Sequence, residues 1–282
     1  MTTNPYSAPA APVADPVQGP QGNFVPGGRG VGAGRGWHWI VEGWALFKVQ
    51  PLMWMLVVLI LFVVLTVLNF IPVLGPIANS VLWPVFNAGL MIGCQAIVQG
   101  DRLGPGHVFA GFRERLGTLA GVGAVTLGIS VAIVVVVALV MGVGMGSMFG
   151  SVRPQEPEAM MAGALVGLVV MALMLPLFMA IWFAAPLVVF HERGVMEAMK
   201  ESFQGCLRNV LPFLVYGLVG GVFAVLAGAS LMAGVAGLMQ HSLSTGVGLL
   251  LAGLPVLLGW AVLGPVFLAS IYASYRDIYF RP

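Results

Sequence analysis

The sequence predicts an all-α polytopic membrane protein: six transmembrane helices as three helical hairpins, each preceded by a cytoplasmic interfacial amphipathic helix. Three observations carry this expectation. Hydrophobic residues make up 59% of the 282 positions and charged residues only 8%, where a soluble domain runs at about 45–50% and about 25%. So little charge cannot cover a folded surface in water, and the mean hydropathy of +1.00 agrees. The apolar residues gather into six long runs, and all of the 12 Lys and Arg residues except Arg153 fall on one side of those runs.

Residues 1–36 come first. Pro5, Pro9, Pro12, Pro16, Pro20 and Pro26 precede a Gly-Arg stretch, and no apolar segment suited to signal cleavage is present. Such a composition buries too little apolar surface to offset its ordering entropy, so a disordered cytoplasmic tail is expected, followed by a six-helix membrane domain over residues 37–282. The glycines between Gly27 and Gly36 hold no G-x-G-x-x-G frame and follow no strand, which argues against a nucleotide loop.

A bilayer core takes about 20 apolar residues per helix. Leu52 to Ile71 is the first run, closed by a reversal at Pro72, Gly75 and Pro76. Ile77 to Gln99 is the second and ends at Gly100-Asp101-Arg102. Leu116 to Phe149, Ala159 to Phe190 (carrying Pro176 and Pro186), Val210 to Met239 and Val247 to Tyr275 follow. None reaches the roughly 40 residues that two crossings and a turn need; excess length reads as tilt. Basic residues gather on the cytoplasmic side, so both termini are expected there, with Arg153, Glu156 and Glu158 outside.

The even-numbered runs share a motif. Pro84-Val85-Phe86-Asn87-Ala88, Pro176-Leu177-Phe178-Met179-Ala180 and Pro265-Val266-Phe267-Leu268-Ala269 each read Pro, apolar, Phe, any, Ala. A membrane helix tolerates and bends at such a proline, and the small Ala lets a neighbour approach. The three copies divide the chain at about residues 37–100, 107–190 and 195–280. Each unit opens on an amphipathic segment. In Trp37 to Phe47 the apolar arc is Trp37, Ile40, Trp44 and Phe47, opposed by His38 and Glu42, which can pair at i, i+4. In His107 to Leu116 it is Val108, Phe109, Phe112 and Leu116. In Val195 to Arg208 it is Val195, Met196, Met199, Phe203, Cys206 and Leu207. Helices of this kind lie in the interface, where Trp anchors them.

The stretch Trp37-His38-Trp39-Ile40-Val41-Glu42-Gly43-Trp44-Ala45-Leu46-Phe47, followed by Pro51, resembles the opening of an uncharacterised family of bacterial six-span inner-membrane proteins. Pro84 to Gly89 and Phe109-Ala110-Gly111-Phe112-Arg113 resemble its next landmarks. Glu197-Ala198-Met199-Lys200-Glu201-Ser202-Phe203 is similar to a wider group, which includes the membrane domain fused to some glycerophosphodiester phosphodiesterases. The resemblance implies a six-span bacterial inner-membrane fold and carries no activity.

Chemistry is sparse. The predicted spans hold no Asp, Glu, Lys, Arg or His, which argues against ion-coupled transport and against an intramembrane hydrolase, since Ser130 and Ser230 have no base at depth. His38, His107, His191 and His241 form no cluster, and His191-Glu192-Arg193 lacks the second His of H-E-x-x-H. Cys94 and Cys206 make no metal quartet, and a disulfide is not expected on the reducing side. Met141, Met145, Met148, Met160 and Met161 have the softness for Cu(I), but packing is the favoured reading. No catalytic, cofactor or metal residue is therefore assigned, and no enzyme activity is expected.

The partners expected are membrane lipids, met modestly by Arg113, Arg115, Lys200 and Arg208 beside acids Glu114, Glu197 and Glu201. The net charge of +2 gives no reason to invoke nucleic acid. Gly142-x-x-x-Gly146, Gly163-x-x-x-Gly167 and Gly217-x-x-x-Gly221 suit close helix packing, within the chain first and in a homo-oligomer as the alternative. The functional expectation is a non-enzymatic membrane-organising or scaffold protein of the inner membrane; the alternative is a carrier or exporter of a lipid-like or apolar substrate. Asn69, Asn79, Asn87, Gln95 and Asn209 discriminate: convergence on a wet cavity favours transport, and pairing between elements favours the scaffold.

Overall fold

The computed structural model describes residues 20, 22–148, 157–239, 244, 246–248, 250, 253 and 259–281. Helix α1 (Arg35–Val49) stops at Gln50 because Pro51 opens α2 (Pro51–Asn69). A proline at that position loses no helical hydrogen bond and fixes φ for the new helix. The chain reverses through Pro72 and Val73, at φ 65°, into α3 (Leu74–Gln99), and Gly100 ends α3 in the left-handed conformation at φ 92°. A 3-10 helix (Pro105–Phe112) leads to α4 (Leu116–Met148), α5 (Pro157–Trp182), α6 (Ala184–His191), α7 (Val195–Leu207) and α8 (Val210–Met239). A π-helical turn (Gly259–Leu263) runs into α9 (Gly264–Tyr279), and two short strands, β1 (Asn23–Phe24) and β2 (Phe280–Arg281), pair antiparallel.

Among the described residues four stretches are helical, long and apolar enough to cross a bilayer: Pro51–Asn69, Leu74–Gln99, Leu116–Leu139 and Gly163–His191. A fifth arises if Val195–Leu207 and Val210–Phe223, bent by 83°, count together. The sixth expected run, Val247 to Tyr275, lies in part outside the described residues. Helix α3 is the centre of the bundle, with 67% of its apolar window buried. Most of α2, α4 and α5 faces outward with Leu, Val and Phe exposed, as a bundle solvated by lipid requires.

The packing follows a cyclic rule. The segment that opens each sequence unit lies on the Pro-bearing helix of the unit before it. The 3-10 helix packs on α3, α7 packs on α5, and α1 packs on α9. The contacts are made by a small residue at matching positions. A Cβ on Gly43 would press on the Val266 carbonyl oxygen and lie 2.9 Å from Ser270 N; one on Gly111 would overlap the Val85 carbonyl oxygen. Ser202 holds the third position. Its hydroxyl donates to the Met179 carbonyl at 2.7 Å and accepts from Phe183 N at 2.9 Å. That places Ser202 in the break between α5 and α6, where the ring of Pro186 cannot supply an N–H to Trp182.

Several expectations need correction. Residues 22–34 are not part of a disordered tail; they form an ordered strap, described below, while residues 1–19 and 21 lie outside the described residues. The second amphipathic segment is not a helix to Leu116: its 3-10 turns end at Phe112, and Arg115, at φ 44°, turns the chain so that Leu116 opens α4. The apolar arc of α1 is rotated. Gly36, Trp39, Ile40, Gly43 and Phe47 are buried, whereas Trp37 and Trp44 face outward, because the glycines let α8 and α9 approach that face. In α7 the apolar arc is divided: Met199 and Cys206 are buried in the bundle, whereas Met196 and Leu207 face outward.

The glycine pairs are corrected too. A Cβ on Gly163, Gly167, Gly217 or Gly221 would meet nothing within 4 Å, so these positions make no close helix contact within the described chain. Close approach falls instead to Gly36, Gly43, Gly89, Gly111 and Gly123. The side chains of Met141, Met145, Met148, Met160, Glu158 and Ser230, and residues Arg153, Glu156 and His241, lie outside the described part, as do the side-chain surroundings of Gly142 and Gly146.

Candidate functional site

Polar chemistry concentrates where the two strands meet. The strap runs from β1 over the ends of α7 and α9 to the first turn of α1. Its start is held by ring packing: Phe24 stacks on His191 with centroids 3.7 Å apart, lies 6.0 Å from the Tyr279 ring, and has the Arg193 guanidinium 5.7 Å from its centroid. His191 Nε2 lies 2.6 Å from the Tyr275 hydroxyl. The chain then bends at Gly27 and Gly28, with φ of 70° and 72°; a Cβ on Gly28 would sit 2.7 Å from Ile278 Cγ2. Only glycine adopts this conformation in so little space.

Backbone groups of the strap are then matched one by one. Val25 N donates to Tyr279 O and Arg29 N to Ile278 O. Arg208 Nη1 donates to the carbonyls of Gly27 and Gly28. Asn209, fully buried, accepts from Val31 N through Oδ1 and donates through Nδ2 to Arg29 O and Gly205 O, all at 2.8 Å. A buried amide with its hydrogen-bonding capacity so used fixes the path of a loop more firmly than burial alone.

The node of the site is Asp277, whose side chain is 8% exposed. Oδ1 accepts from Arg29 Nη2 at 3.0 Å; Oδ2 accepts from Arg35 Nε at 2.6 Å and from Trp39 Nε1 at 2.9 Å. Arg29 Nε also donates to the Asp277 carbonyl at 2.8 Å, and Arg35 Nη2 reaches Glu42 Oε1 at 3.0 Å. These groups wall an open cavity of about 630 Å³, completed by Arg276 and Arg281. Four guanidiniums and two carboxylates thus line one cavity. Among the described residues Arg276 and Arg281 form no ion pair.

A second charged set lies at the α6–α7 link. Arg193 bridges Glu197 at 2.8 Å and Glu201 at 3.2 Å, and Arg115 meets Glu192 at 3.3 Å. Burial, partly countered by Arg193, raises the Glu201 carboxyl above the ordinary glutamate range. The arginines expected to meet lipid are therefore partly spent: Arg115 on Glu192 and Arg208 on the strap. His38 and Glu42 do not pair either, since His38 Nδ1 lies 2.9 Å from Gly34 O and Glu42 takes Arg35. Arg29, Arg35, Trp39 and Asp277 escaped the sequence reading. The signal was an acid, Asp277, beside Arg276 at the end of an apolar run.

The discriminating amides do not converge. Asn69 bonds back to Leu65 O in its own helix, Asn79 crosses from α3 to the same carbonyl, and Gln95 in α3 accepts from Tyr272 in α9. Asn87 is buried with no partner for Oδ1 among the described residues, and Asn209 serves the strap. Cys94 and Cys206 are buried free thiols. Among the described residues no three His, Cys, Asp or Glu side chains gather in a metal-holding group.

A Burkholderia thailandensis protein described as a probable inner membrane protein is 28% identical over 259 residues, covering 88% of this chain and 92% of its own length. No family model matches the chain, and no solved structure matches it. The long apolar helices are those of an integral membrane protein, and the description of this relative agrees with that.

Proposed function

We propose that this is a non-enzymatic bacterial inner-membrane protein that organises the bilayer or scaffolds partners through its strap-bearing end. The observation that supports it is the use of the amides: Asn79, Gln95 and Asn209 tie one element to another instead of lining a shared polar path. The topology belonging to this reading has six spans in three hairpins, with α1, the 3-10 helix and α7 in the interface and both termini cytoplasmic. The sidedness of Lys and Arg supports that orientation. The likeness of the α7 sequence to membrane domains fused to phosphodiesterases extends, in this reading, to the fold and not to hydrolysis.

A carrier of a lipid-like substrate is the second reading, and one feature favours it. An apolar groove of about 330 Å³ between α5 and α8 is lined by Phe178, Trp182, Val210, Phe213 and Gly217, and Trp182 Nε1 is buried with no hydrogen-bond partner among the described residues. Proteoliposomes separate the two. The scaffold reading expects a change in bilayer order, read by a polarity-sensitive membrane dye, with no protein-dependent flux or hydrolysis of a fluorescent phospholipid. Flux abolished by Gly217→Trp would establish the carrier instead.

A further inference from the structure

We infer that the cavity beneath the strap binds a phosphate-bearing anion, and that its natural source is the headgroup of an anionic phospholipid. Three features of the site converge on this chemistry. Asp277 and Glu42 balance Arg29 and Arg35 and hold them in place, so the net positive charge of the cavity rests on the two remaining arginines. Arg276 and Arg281 bring exposed side chains to the same cavity with no carboxylate partner among the described residues. Planar guanidiniums match phosphate oxygens two at a time, which a set of lysines would not. Finally, Gly30 and Gly32 line the cavity without side chains, so an oxyanion can come up to the backbone.

The surroundings point to a headgroup. The cavity opens at the first turn of α1, and that helix leaves Trp37 51% and Trp44 42% exposed. Tryptophans on an outward face sit at headgroup depth, which sets the arginines level with lipid phosphates. A cavity of about 630 Å³ has room for a phosphodiester and its polar substituent. Anion binding itself does not depend on the orientation or the scaffold role proposed above; only the choice between headgroup and free phosphate does.

The test is native mass spectrometry of the detergent-purified full chain, titrated in separate arms with phosphatidylglycerol, phosphatidylcholine and inorganic phosphate. Retention of phosphatidylglycerol over phosphatidylcholine is expected, with affinity falling at least about tenfold in Arg276→Ala/Arg281→Ala, equivalent to about 1.4 kcal/mol. Lys48→Ala/Arg102→Ala removes the same charge elsewhere, at two exposed positions, and should leave binding unchanged; Arg276→Lys/Arg281→Lys should restore only part of it. Preference for inorganic phosphate, lost in the same variant, would keep the anion site and replace its source. Equal binding by both alanine variants and the wild type, equal loss in both, or no anion preference at all would overturn the proposal.

Discussion

The Asp277 carboxylate accepts Arg35 Nε at 2.6 Å and so joins the last turn of α9 to the first turn of α1. The same carboxylate holds Arg29 of the strap. One side chain thus ties the strap and the first turn of α1 to the same point of α9.

Asp277→Asn should loosen the strap. Breaking a fully buried ion pair costs about 3–5 kcal/mol, but Arg29 and Arg35 are 34% and 37% exposed, so solvent screening reduces this to about 1–2 kcal/mol. Limited trypsin digestion is expected to cut after Arg29 in the variant much faster than in the wild type, with a lower melting temperature in detergent. Identical digestion would show that the strap is held without Asp277.

Asn209→Leu should act on the same segment by another route. It strands the Val31 N–H and the Arg29 and Gly205 carbonyls in a buried place, at about 1–3 kcal/mol for unsatisfied groups. Hydrogen exchange at Val31 should rise while α2 and α3 stay protected.

Glycine substitutions should sort by the space around them, not by G-x-x-x-G spacing. Gly43→Ala forces a methyl onto the Val266 carbonyl and Ser270, and overpacking of this kind costs about 1–3 kcal/mol. Gly217→Ala, with nothing within 4 Å, should leave the melting temperature of the monomer unchanged. A fall equal to that of Gly43→Ala would show that α8 has a packing partner at this face.

Glu201 should confer a pH dependence of defined sign. Its carboxyl is raised by burial, with Arg193 opposing, so the folded chain binds this proton more tightly than the unfolded chain. Stability from this residue therefore falls as pH rises through the window between the ordinary glutamate value and the raised one. Measured as melting temperature across the mildly acidic range, the wild type should lose ground relative to Glu201→Gln as pH increases. Parallel curves would remove the effect.

The amino-acid sequence by itself determined the solvent and the helices. A bilayer demands runs of about 20 apolar residues and internally paired backbone, and both are local requirements, legible in Leu52 to Ile71 or Ile77 to Gln99 without knowing what packs beside them. The repeated Pro motif was legible for the same reason. Tertiary structure alone decided the strap and its site. Arg29 meets Asp277 across 248 positions and Asn209 meets Arg29 across 180, so a Gly-rich segment that reads as disordered in composition is ordered by partners at the far end of the chain. It also decided which glycines matter: Gly43 and Gly111 face a neighbour's carbonyl, whereas Gly163 and Gly217 face open space. Spacing places a small residue on a helix face, but only the neighbouring backbone makes that face a contact.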